Sequence, residues 1–75
     1  MMSIADAERI KVSRLRKGYS QAQLARIIGV SVLTINFIET GKTKVPRPST
    51  IKKICDELEL TTLDIYETMA SFSKI

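Results

Sequence analysis

Polar and cationic side chains of a particular kind run through the middle of this chain: Gln21, Ser31, Asn36 and Thr40, then Lys42, Thr43, Lys44, Arg47 and Ser49. Amides, hydroxyls and cations in that company recognise anions and hydrogen-bonding partners; they do not by themselves break bonds. The inventory for catalysis is thin. There is no histidine, and Cys55 is the one cysteine. A Cys–His or Ser–His nucleophile pair is therefore excluded, and a zinc site would have to be built from carboxylates. No catalytic residue, metal site or cofactor is assigned, and the chain is not read as an enzyme.

Charge is unevenly placed. From Arg9 to Lys53 there are eleven basic residues and a single acid, Glu39. From Ile54 to Ile75 there are five acids and one base, Lys74. A one-signed basic block in a small protein is the footprint of a polyphosphate partner. One cysteine permits no intrachain disulfide, and neither a signal peptide nor a long apolar span is visible, so a cytoplasmic setting without membrane contact is expected.

These side chains need a frame. Seventy-five residues make one domain, 1–75. Two tyrosines, two phenylalanines and no tryptophan require an aliphatic core. Met1 to Ile4 reads as a frayed end. A first helix is expected from about Ala5 to Lys17, with Ala7, Ile10, Ser13 and Leu15 on its stripe and Gly18 as its stop. Ser20 with Gln23 forms a capping box for a second helix to about Ile28. Gly29 suits a left-handed turn, and Ser31 caps a third helix to about Thr40. Pro48 opens a fourth helix, to about Glu59, whose stripe is Ile51, Ile54, Cys55 and Leu58. Thr61 with Asp64 caps a fifth, carrying Leu63, Ile65, Tyr66 and Met69. The reading is all-α, five helices, with the acidic tail 62–75 as a dimerising segment through Leu63, Tyr66, Met69 and Phe72.

The segment from about 20 to 41 is the distinctive part. Leu24, Ile28, Val30, Ile35 and Ile38 share one core across a turn at Gly29, and Ala25 allows close approach of the two helices. Two short helices joined this way present the second as a reading head, usually for DNA.

Taken together, Ile10, Arg14, Gly18, Ser20-Gln21, Leu24-Ala25, Gly29-Val30-Ser31, Thr34-Ile35, Ile38-Glu39, Gly41-Lys42, Pro46, Thr50-Ile51, Ile54 and Leu58 resemble the phage-repressor and Cro-like (xenobiotic-response-element) helix-turn-helix family. The resemblance covers roughly residues 8 to 66. It implies a five-helix, lambda-repressor-like domain that binds operator DNA, commonly as a homodimer on two half-sites. It also implies a partly buried Arg14–Glu39 ion pair tying helix one to helix three, and a phosphate contact for Gln21. The free N–H groups and dipole at the start of helix two favour an anion there as well. Lys42, Thr43, Lys44, Arg47 and Ser49 are the further phosphate-binding candidates, supplying affinity and register.

The reading face departs from the family pattern. At one hundred degrees per residue with Ile35 at zero, Leu33 and Phe37 fall at about 160 and 200 degrees, opposite the core. Ser31, Val32, Leu33, Asn36, Phe37 and Thr40 are thus the base-reading candidates, where the family usually has several glutamines, arginines, serines or lysines. Asparagine pairs with adenine and apolar side chains touch thymine methyls, so an A·T-leaning site with few direct hydrogen bonds is expected. The rival reading makes Leu33 and Phe37 a patch for a protein, such as an antirepressor or toxin. The expectation is a repressor of transcription binding double-stranded DNA.

Overall fold

In the computed structural model, residues 2–60 are described, and their regular structure is entirely helical. The elements are α1 (Ile4–Arg16), α2 (Gln21–Ile28), α3 (Val32–Glu39) and α4 (Pro48–Leu58). The expected fifth helix, the segment 62–75 and the dimer candidates Leu63, Tyr66, Met69 and Phe72 lie outside the described residues. None of the described helices is, singly, long and apolar enough to cross a membrane.

Serine starts three of the four helices. Ser3, Ser20 and Ser31 hold extended backbone, and their hydroxyls accept from the backbone N–H of Asp6, Gln23 and Thr34 at 3.1, 3.0 and 3.2 Å. Asp6 and Gln23 return the bond to the capping residue's own N–H, which completes two capping boxes. α4 has no side-chain cap; Pro48 sits in its first turn, where a missing N–H is harmless.

The N-terminus differs from the frayed end expected. Met2 is only 6% exposed, and its N–H donates to the Lys44 carbonyl at 3.0 Å. The Ser3–Asp6 box fixes the chain direction there, and the apolar residue just before the cap turns into the core. Ile4 itself is helical and exposed. The stripe of α1 differs too. Leu15 is 56% exposed, whereas Arg14, four residues after Ile10, takes the inward position.

The core is aliphatic. Ile10, Leu24, Ile35, Ile38, Ile51, Ile54 and Cys55 are fully buried, from all four helices. Ala7 and Ala25 fill the close approaches, and Tyr19, Val30 and Leu60 pack on the margin. α2 and α3 meet at 118°. Gly29 makes that turn at φ 78°, and a Cβ there would meet nothing within 4 Å. Backbone conformation, not space, selects glycine at this point.

A second tie joins the α1–α2 connection to the end of α4. The Tyr19 hydroxyl donates to Glu57 Oε2 at 2.8 Å, and Lys17 Nζ lies 2.9 Å from Glu59 Oε1. The hydrogen bond to Glu57 raises the Tyr19 pKa. Likewise Glu59 raises that of Lys17, and Lys17 lowers that of Glu59.

Candidate nucleic-acid interface

The site is organised by a charge pair inside the domain. Arg14 Nε donates to Glu39 Oε2 at 2.7 Å and Nη2 to Oε1 at 2.9 Å, while Nη1 donates to the Tyr19 carbonyl at 2.7 Å. Both charged residues are buried. The fork matches the carboxylate bidentately, and this geometry fixes α3 against α1.

Glu39 also reaches outward. Gln21 Nε2 donates to Glu39 Oε1 at 3.1 Å, and Asn36 Nδ2 donates to Gln21 Oε1 at 3.4 Å. The first residue of α2 is thereby joined to α3 at two points. Gln21 and Asn36 are both half-buried on this flank.

Beyond that edge the outer face of α3 is apolar. Val32 and Leu33 are exposed, Leu33 at 59%. Phe37 is only half-exposed, less than its angular position on the helix predicts. The Thr43 N–H donates to the Phe37 carbonyl at 3.1 Å, and Lys42 Nζ stands 5.1 Å from its ring centroid, so the following loop folds against it. Ser31 is exposed, and its hydroxyl also meets Thr34 Oγ1 at 2.9 Å. Thr40 is exposed and turns its hydroxyl back to the Asn36 carbonyl at 2.9 Å. Of the six base-reading candidates, Ser31, Val32, Leu33 and Thr40 are thus exposed, and Asn36 and Phe37 are half-buried.

The loop and the start of α4 supply the cations. Lys42, Lys44, Arg47 and Ser49 are exposed and Thr43 is half-buried. A groove of about 600 Å³ runs between α3 and this loop, lined by Leu33, Phe37, Val45, Arg47 and Thr50 among others. Sequence reasoning missed Val45, which is 61% exposed on that groove. Its signal was an apolar residue inside a Lys- and Pro-rich loop. Met2 was missed as well: it pins the backbone of Lys44 from the N-terminal side. Among the described residues no cluster of His, Cys, Asp or Glu is arranged to hold a metal.

The arrangement presents the Gln21 amide on one side of an apolar helix face and the cations of the loop on the other. Comparison with known proteins agrees with this geometry. The family model described as helix-turn-helix matches residues 10–65. The chain is 40% identical over 53 residues to the HTH-type transcriptional repressor RghR of Bacillus subtilis (strain 168). That match covers 71% of this chain and 39% of the relative, so the chain spans well under half of that protein's length. The chain belongs to the helix-turn-helix family, in its phage-repressor and Cro-like branch.

Proposed function

We propose that this domain binds double-stranded DNA in a sequence-dependent way and regulates transcription, as a repressor acting through a homodimer in the cytoplasm. The observation that carries this reading is the uncovered face of α3, apolar at its centre and bordered by Lys42, Lys44 and Arg47. In this reading α3 enters the major groove. Gln21, Lys42, Thr43, Lys44, Arg47 and Ser49 hold phosphates, which sets affinity and register. Val32, Leu33 and Phe37 meet base edges, with Ser31 and Thr40 beside them. The similarity to a protein named a transcriptional repressor supports the same direction of regulation. No catalytic step is proposed.

The face is short of hydrogen-bonding side chains, so it favours the C5 methyl of thymine over a donor–acceptor pattern. The preferred half-site is A·T-leaning, with shape readout contributing the rest.

Titration of the protein with random and selected duplexes over a range of salt tests the proposal. Phosphates neutralised by Lys42, Lys44 and Arg47 of both protomers would weaken binding about a thousandfold between 50 and 200 mM salt. Selected duplexes should carry two half-sites at a fixed spacing. A flat salt response, or no complex at low salt, rules out the DNA reading and leaves α3 as a protein-binding face.

A further inference from the structure

We propose that Asn36 is a positioning residue for Gln21 and not a reader of bases. The inference rests on the DNA reading above and refines the division of labour within it.

The argument follows the hydrogen bonds outward from the buried carboxylate. Glu39, gripped by both arms of the Arg14 guanidinium, only accepts. Its Oε1 already takes one hydrogen from Arg14 Nη2 at 2.9 Å, and Gln21 adds a second at 3.1 Å. Gln21 must therefore turn its NH2 group to Glu39, which directs its carbonyl oxygen the other way. That oxygen faces Asn36, whose NH2 donates to it at 3.4 Å. The orientation of both amides is thus dictated from the buried end of the chain of bonds. Asn36 lies one turn before Glu39 on α3, so the two residues grip Gln21 from the same helix.

Two consequences follow. The plane of the Asn36 amide is set by Gln21, whereas bidentate pairing with adenine requires that plane to be set by the base. Gln21, held at both ends, keeps one Nε2 hydrogen for an anion beside the start of α2. Asn36 then raises affinity for every duplex alike, by keeping a phosphate-binding amide in place.

Asn36→Ala, Gln21→Ala and the double variant test this in two ways. In the free protein, Asn36→Ala shifts the side-chain amide proton signals of Gln21 while the backbone spectrum keeps its dispersion. On DNA, Asn36→Ala weakens binding about threefold to tenfold, the value of one hydrogen bond, on selected and random duplexes equally. In the Gln21→Ala background it has no further effect. Unchanged Gln21 signals overturn the pairing. A changed base preference at one position, or losses that simply add in the double variant, makes Asn36 a base reader and overturns the proposal. If the unsubstituted protein forms no complex with any duplex at low salt, the DNA reading fails, and the spectrum of the free protein still decides the pairing.

Discussion

The two flanks of α3 are built on opposite principles. The flank facing α2 is polar and internally linked: Arg14, Glu39, Gln21 and Asn36 form one continuous set of hydrogen bonds, anchored in the core. The flank facing the loop after α3 is apolar and open: Leu33, Phe37 and Val45 border a groove edged by Arg47. The polar flank can hold geometry because each of its side chains is already bonded to another. The apolar flank can discriminate partners because its surface is not yet buried by anything in the described chain. Under the proposed DNA binding, orientation of α3 and choice of what it reads fall to different sides of one eight-residue helix.

The sharpest way to break this contrast is to remove one charge from the polar flank. Glu39→Ala leaves the Arg14 guanidinium buried without its partner, and should lower unfolding free energy by about 3–5 kcal/mol in denaturant titration. Leu33→Ala on the opposite flank should stay within about 0.5 kcal/mol, because the side chain is exposed. Equal losses from the two would dissolve the distinction.

Gly29→Ala strikes both flanks together, since the turn orients all of α3. The cost is that of forcing an L-residue to φ 78°, about 1–2 kcal/mol, with no added clash. Thermal melting should fall accordingly, and a loss far above that range would mean that the turn is also crowded.

On DNA the contrast is sharpened by replacing thymine with uracil, which removes only the methyl group. Each methyl buried against the apolar flank is worth about 0.8 kcal/mol, or about fourfold in affinity, and Leu33→Ala should abolish that difference. Lys44→Ala, which removes one phosphate contact from each protomer, should instead weaken all duplexes and lower the salt slope by about 1.8, leaving the uracil effect intact.

The smallest effect concerns the tie remote from α3. The folded pKa of Glu59 is lowered by Lys17, so its contribution is present at neutral pH and is lost as pH falls through the carboxylate range. The folded pKa values of Lys17 and Tyr19 are raised, so theirs persist below their ordinary ranges and vanish as pH climbs through them. Melting temperature should therefore show a slight plateau at intermediate pH, removed by the Lys17→Ala, Tyr19→Phe double variant.

Much of the frame was legible because local chemistry acts over three or four residues. The caps at Ser20 and Ser31, the turn at Gly29, the start at Pro48 and the α4 stripe all follow from spacing, and each is where it was expected. The Ser3–Asp6 box is equally local, and it overrides the fraying expected of a chain end. Leu15 misled for a different reason. Hydrophobicity alone favours Leu15, although Arg14 keeps the four-residue step from Ile10 and the resemblance implies its burial. A buried guanidinium is tolerable only with Glu39, 25 residues away, beside it.

By itself, then, the sequence determined the described helices, their aliphatic core and the tight turn between α2 and α3, because hydrophobic period and capping are local properties. The resemblance carried by its motifs added the family. Tertiary structure alone decided that the Glu39 carboxylate also holds Gln21, that Gln21 holds Asn36, and that Val45 joins Leu33 and Phe37 along one groove. Those relations join residues 15, 18 and, from Leu33 to Val45, 12 positions apart, which meet only after α1, α2 and α3 have packed. Hydrogen bonds and shared surfaces at that range depend on where helices cross, and crossing is settled by the whole core.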